Sequence, residues 1–387
     1  MNPIVDVGWL AAPLMGASTA GAVYQLVAAR AVQRFAGRDA ADSARTPPPV
    51  TILKPVYGND AELYENLKSF CCQDYPTFQV IFGARDAGDH AVAVVRRLMA
   101  ELPDADLELV IDGRLHGTNR KVSNLMNMVS LARHEYLVIA DSDMRVGPNY
   151  LNAVVPPLLD PGVGLVTCLY AGRPTHGLWS RLGALFINHG FLPGALVGQL
   201  IGGRAGCFGA TMALSRATLA RAGGFDRLRD TLADDYALGE AVRRLDLTVV
   251  LSPYIVDAVV HEPGCDHLFR HELRWGRMIR AVAPASFAAS VVTHTVPLAL
   301  AAVLVSGGAL NALAALSVAA AARVRLGRVT DRALGLAPAP LWLMAVRDGL
   351  SFAVLVTSFC GKKITWRGHA LRVVAGGRLI ADGEPTT

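Results

Sequence analysis

Tyr136-Leu137-Val138-Ile139-Ala140-Asp141-Ser142-Asp143 is an apolar run that ends in two spaced carboxylates. A short apolar run bounded by turn-forming residues reads as a strand buried on both faces. Working outward, Val50-Thr51-Ile52-Leu53, Phe78 to Gly83 and Leu107 to Ile111 read as further strands. Between them, Tyr64 to Phe70, His90 to Leu102 and Val122 to Ala132 carry apolar residues at helical spacing. Strands alternating with helices predict an α/β fold, a Rossmann-like, three-layer arrangement around a mostly parallel sheet. Beyond residue 148 the pattern predicts helices over 148–159, 178–190 and 234–245, short strands over 164–168 and 248–251, and a glycine-rich loop over 201–209. That loop, with Gly202, Gly203, Gly206 and Gly209, suits a close approach of backbone to a ligand.

The flanks are of a different composition. Val7 to Ala29 gives 23 positions without a charge, long enough to cross a bilayer, and Arg30, Arg34, Arg38 and Arg45 follow it. Positive charge stays on the cytoplasmic side, which predicts an outside N-terminus and a cytoplasmic domain. Phe287 to Ala322 has no Asp, Glu, Lys or Arg in 36 residues, which fits two short spans meeting near Gly307-Gly308 or one overlong helix. Leu341 to Cys360 is apolar but interrupted by Arg347-Asp348, so a re-entrant or in-plane segment is expected there. The resulting organisation is an anchor over 1–31, a linker over 32–49 containing Pro47-Pro48-Pro49, an α/β domain over 50–285, a C-terminal membrane region over 286–361 and a basic cytoplasmic tail over 362–387. The net charge of +5 comes from the C-terminal region, where ten Lys and Arg between 323 and 380 face Asp331 and Asp348. That excess points to an anionic membrane leaflet and gives no support for nucleic acid. Six cysteines form no C-x-x-C pair, so reduced thiols are expected.

Ligands of open α/β sheets bind beyond the carboxyl ends of the strands. Asp141 and Asp143 lie there, two residues apart in extended chain, and can face one ligand. Together they suit a divalent metal, Mg or Mn, held against diphosphate oxygens, with Asp143 the principal ligand; a chance turn is the competing reading. Asp86 and Lys54 follow neighbouring strands, and Lys121 opens a helix where a cation can reach phosphate; taken alone, Asp86 reads first as a loop cap. Asp234 and Asp235 begin a helix, where the dipole favours acids regardless of function. The functional reading makes Asp235 a general base, with Asp234 beside the acceptor. His271, Arg274 and Trp275 share a helical face, Arg274 suiting a phosphate clamp and His271 and Trp275 an acceptor surface. An amphipathic helix lying on the membrane is the alternative.

In this order, Asp86, Asp141-Ser142-Asp143, Asp235 and His271-Glu272-Leu273-Arg274-Trp275 resemble the family-2 inverting glycosyltransferases of the GT-A fold. The usual last motif begins with Gln or Arg, and here it begins with His271. Leu53-Lys54-Pro55, Gly117 to Leu125 and Thr365-Trp366-Arg367-Gly368 resemble the ceramide glucosyltransferase branch. Within that branch, Leu63 to Leu67, Arg270 to Trp275 and Val291 to His294 resemble the bacterial hopanoid-associated glycosyltransferases. The resemblance implies a metal-dependent, multi-pass enzyme of the bacterial inner membrane with a cytoplasmic catalytic domain. It would move N-acetylglucosamine from its UDP sugar to the membrane lipid bacteriohopanetetrol, with inversion. Glucosyl transfer to ceramide or diacylglycerol is the alternative, and a catalytically silent nucleotide-sugar-binding membrane protein a more distant one.

Overall fold

A computed structural model describes residues 8–38, 46–58, 60–361, 363–366, 369–373 and 378–381. Its central sheet has eight strands: β1 Val50–Pro55, β2 Phe78–Ala84, β3 Leu107–Ile111, β4 Tyr136–Ile139, β5 Met144–Arg145, β6 Val163–Pro174, β7 Met212–Ser215 and β8 Thr248–Val260. The order is β3-β2-β1-β4-β7-β6-β8-β5. The β3-β2-β1-β4 half is parallel, as the alternating pattern predicts. The other half is mixed: β7 runs antiparallel to both β4 and β6, and β5 antiparallel to β8, while β6 and β8 are parallel.

Successive side chains of the parallel strands feed two cores. Ile52, Val80, Phe82 and Val138 pack with Leu67, Phe70, Val95 and Leu98 on one face. Leu53, Ile81, Leu137 and Ile139 pack with Val122, Leu125 and Met128 on the other. This period-two partition requires helices on both faces, and it buries all six residues of β1. The N-terminal helix joins the second core through Ala31, Val32 and Phe35, so anchor and domain share a packed interface.

Both β6 and β8 are far longer than the short strands predicted. Pro253 hides the length of β8, because a proline cannot donate to the ladder. The pairing skips at that point, Cys168 facing Ser252 and Leu169 facing Ile255, so the irregularity absorbs the proline and the strand continues. Residues 178–190 are likewise part of something longer: the helix Gly177–Phe186 passes through a π-helical turn over Ile187–Phe191 into Leu192–Gly202.

Among the described residues four helices are long and apolar enough to cross a membrane: Gly8–Ala36, Gly177–Gly202, Leu310–Ala333 and Leu341–Phe359. The second of these lies half-buried against the sheet through Leu192 and Leu196. A fifth candidate, Pro284–Thr293 with Thr295–Val305, is bent by 65°. The apolar block after Phe287 breaks at Gly307 and Gly308, whose φ values of 63° and 84° form the turn between Thr295–Val305 and Leu310–Ala333. Arg347 and Asp348 sit inside one continuous helix, Leu341–Phe359, which contacts the domain from Leu343 near its start to Phe359 at its end. The segment read as a basic tail carries three antiparallel strands, Lys363–Trp366, His369–Val373 and Leu379–Ala381. Arg367 and Gly368 lie outside the described residues.

Candidate active site

Four of the predicted residues converge at the carboxyl end of β4. Lys121 Nζ lies 2.8 Å from Asp141 Oδ1 and 3.3 Å from Asp234 Oδ2, tying the β4 end to the helix Asp234–Arg243. Burial alone would lower the Lys121 ammonium, but Asp141 and then Asp234 outweigh it and hold the group above its ordinary value. Asp235 accepts hydrogen bonds from the Gly209 and Tyr236 amides at 2.9 and 2.7 Å. Burial, and then Asp234 beside it, push the Asp235 carboxyl up to about 6.

Gly209 marks the centre of the group. A Cβ there would lie 3.1 Å from Asp141 Oδ2, 3.4 Å from Lys121 Nζ and 3.6 Å from Asp235 Oδ2. The glycine-rich loop thus brings bare backbone between the two key carboxylates. The loop before Asp234 is held by the segment before Lys121: the Thr118 amide donates to Asp230 at 2.9 Å, and Asn119 Nδ2 donates to the Thr231 carbonyl at 2.6 Å. Asn119 also caps the helix Arg120–Met128 by accepting from the Val122 amide. Thr118 and Asn119, just before Lys121, therefore position the Asp234-Asp235 turn.

Lys54 is fully buried and lies under the site. Its Nζ donates to the Asp141 carbonyl at 2.5 Å and sits 3.6 Å from the Phe70 ring centroid. Burial pushes this ammonium down to about 7, even though Asp141 and Asp143 pull it upward. Ser142 donates to Asp60 at 2.6 Å, which fixes the turn between the two carboxylates. Asp143 is pushed up to about 7, by burial first and then by Asp141 and Asp60. Asp86 is exposed at the same sheet edge, where it accepts the Gly88 amide at 2.9 Å as a loop turn.

The crowded Asp141, Asp143 and Asp60 are hard oxygen donors with more negative charge than Lys54 offsets, so this edge fits a divalent cation. Among the described residues no group of three or more His, Cys, Asp or Glu is arranged to hold a metal alone. Remaining ligands would come from diphosphate and water, as is usual for such ions.

The helix Cys265–Val282 carries the second cluster. His271 Nδ1 is 2.7 Å from Glu262 Oε1, and His267 pairs with the other oxygen of the same carboxylate. The His271 ring lies 4.2 Å from that of Trp275, which stacks on Phe186 at 5.8 Å. Burial lowers the His271 imidazole, with Glu262 acting the other way. Tyr170 on β6 links the two clusters. Burial, followed by the charges of Asp235, Asp143 and Asp141, raises its phenol, whereas Arg274 lowers it. Its ring stacks on Phe191 at 4.6 Å. Glu262 and Tyr170 were not found in the sequence, because both depend on the unrecognised length of β6 and β8. Reading β8 to its end would have exposed Glu262 as another residue just past a strand's carboxyl end.

Residues 14–379 match the family described as Glycosyl transferase family 21. The chain belongs to glycosyl transferase family 21. Among similar proteins, ceramide glucosyltransferase 1 of Caenorhabditis elegans is 27% identical over 198 residues, covering 51% of this chain and 42% of that protein. Ceramide glucosyltransferase 3 of the same organism is 36% identical over 95 residues, or 24% and 21% of the two chains. The chain thus spans less than half the length of the curated relatives it matches. A mannosyltransferase from Pyrobaculum calidifontis, solved with GDP-Man and Mn2+, aligns with a TM-score of 0.53 at 23% identity, covering 91% of this chain and 99% of that one. That likeness shows the fold, so this family 21 member has a GT-A domain together with several helices long and apolar enough to cross a membrane.

Proposed function

We propose that the protein transfers glucose from UDP-glucose to the hydroxyl of a ceramide-class membrane lipid with inversion at the anomeric carbon. The carrying observation is the convergence of Asp141, Lys121 and Asp235 around Gly209. The ceramide glucosyltransferases among its relatives favour this acceptor. Asp235 takes the proton of the attacking hydroxyl at its carboxylate, while the Gly209 and Tyr236 amides hold it in place. Lys121 keeps Asp141 and Asp234 from repelling each other, and Lys54 braces the Asp141 backbone from below. Asp143 and Asp141 would hold a Mg or Mn ion, which when bound offsets charge on the departing diphosphate. Arg274 clamps diphosphate oxygens, Asp86 contacts the nucleotide, and His271 and Trp275 border the acceptor.

The second reading, N-acetylglucosamine transfer to bacteriohopanetetrol, draws on the wording around His271, whose imidazole is fixed by Glu262. Purified protein in lipid nanodiscs would be given UDP-glucose or UDP-N-acetylglucosamine with ceramide, diacylglycerol or bacteriohopanetetrol, and products read by mass spectrometry. A β-glucosylceramide product is expected. Product only with the hopanoid and N-acetylglucosamine would replace the first reading with the second, and no product with any pair would overturn both. In this reading the domain faces the cytoplasm, where UDP sugars are made.

A further inference from the structure

We propose that six arginines at the junction between the helical bundle and the catalytic domain form a binding surface for anionic phospholipid headgroups. The N-terminal helix Ala11–Ala36 and the helix Leu310–Ala333 pack together and point the same way. Ala28 and Ala29 of the first pack with Leu326 of the second, and seven residues on, Phe35 shares a core with Leu334. Arg30, Arg34 and Arg38 recur every four residues, and Arg325, Arg328 and Arg332 at intervals of three and four. Arg30 and Arg34 stand one turn apart on the first helix with Arg38 just past its end, Arg325, Arg328 and Arg332 form a stripe along the second, and the matched register puts both sets at one height.

Five of the six are exposed, and Arg328 is half-buried. Among the described residues none of them is ion-paired with a carboxylate; Arg38 has only the Phe35 ring, 5.6 Å from its guanidinium. Two acids on the second helix and its neighbour, Asp331 and Asp348, are already committed. Asp331 is buried, 2.6 Å from His189 Nε2 and accepting the Ala339 amide, and Asp348 takes Arg323 at 2.8 Å. Neither Asp331 nor Asp348 is ion-paired with any of the six arginines, so these two acids leave countercharge to be supplied.

What supplies it is indicated by the surface just beyond. Val23, Leu26 and Val27 of the first helix, and Leu313 and Val318 of the second, are large apolar side chains turned outward. These apolar faces stop where the arginines begin, within about two turns on each helix. Hydrocarbon contact passing directly into a cationic ring is the profile of a bilayer's acyl region meeting its phosphates. A nucleic acid would meet the cations without the adjoining apolar surface.

The proposal rests on the membrane reading of these helices and not on which sugar is transferred. The full chain, extracted from nanodiscs of phosphatidylcholine with and without phosphatidylglycerol, would be examined by native mass spectrometry for retained lipid. Wild type is expected to retain phosphatidylglycerol severalfold over phosphatidylcholine, and the preference should fall in high salt. The variant Arg30→Gln/Arg34→Gln/Arg325→Gln/Arg332→Gln should lose it, with glycosyl transfer in neutral detergent unchanged. The corresponding lysine variant should keep it. Equal retention of the two lipids by wild type, an unchanged preference in the glutamine variant, or retention of RNA in place of lipid would overturn the proposal. Should the glutamine variant fail to fold, the salt series and the lysine variant decide the matter alone.

Discussion

Asp235 accepts two backbone amides, from Gly209 and Tyr236, and sits largely buried beside a second acid. Two amides favour the ionised carboxylate, while burial and Asp234 disfavour it, and the balance falls near pH 6. A base must be ionised to act. As pH falls through about 6, Asp235 takes up its proton, and kcat/KM of the metal-loaded enzyme should fall with an acid limb at or below that value. Asp235→Asn should cut kcat by about 10²–10⁴-fold while a fluorescent UDP sugar still binds; an unchanged kcat would remove Asp235 from the mechanism. Gly209→Ala tests the same centre through space. Its Cβ would press on Asp141 and Lys121, whose ends can yield by a few tenths of an ångström. Donor KM should therefore rise severalfold while thermal stability barely moves. At this scale the carboxylates were readable because acids after buried strands have few structural reasons to be there. Lys54 was readable only as a cation at the right edge. That it is buried under Asp141 and spends its ammonium on a carbonyl and the Phe70 ring depends on packing from a distant helix.

Helices and strands show the same division. The four parallel strands were legible because two-sided burial makes a strand uniformly apolar, as in Leu137-Val138-Ile139. β6 and β8 were cut short because Arg173, Pro253 and Asp257 interrupt them, and Arg173 and Asp257 pair across the two strands at 2.7 Å. Arg347 posed the opposite problem, being plainly visible and plainly costly in an apolar helix. Its guanidinium makes a bidentate pair with Glu272 at 2.6 and 2.7 Å, donates to the Leu182 carbonyl, and lies over the Phe186 ring that stacks on Trp275. Glu272 lies between His271 and Arg274 in sequence, so this pair sets the rotation of the motif helix. Arg277 and Arg280 complete the attachment where the helix Leu341–Phe359 ends, Arg280 donating to the Phe359 and Gly361 carbonyls and Arg277 to that of Cys360. Arg347→Met should destabilise the protein by about 3–5 kcal/mol, because it strands Glu272 in a buried site. Adding Glu272→Met should recover most of that loss in thermal unfolding. If the double variant is as unstable as the single one, the pair is not the reason for the cost.

Taken whole, the molecule places the proposed nucleotide-binding sheet edge beside a bundle that shares its core. The bundle's directions follow from its contacts. The N-terminal helix and Leu310–Ala333 both reach the domain with their C-terminal ends, through Phe35 and Leu334. The helix Thr295–Val305 precedes Leu310–Ala333 across the Gly307-Gly308 turn and so runs the other way. Gly307-Gly308 and the start of the N-terminal helix therefore lie at the end remote from the sheet. By contrast, Leu341–Phe359 touches domain helices at both of its ends, which suits a segment lying along the membrane surface more than one crossing it. With arginines gathered at the domain end, the charge rule predicts that end on the cytoplasmic side and the glycine turn outside. In a protein otherwise free of cysteine, Ser306→Cys should react with a membrane-impermeant maleimide in intact cells. A protein retaining only the exposed native Cys72, which follows the domain helix Leu63–Cys71, should react only after the membrane is opened. The reverse pattern would place the sheet edge outside, away from the UDP sugars on which the proposed transfer depends.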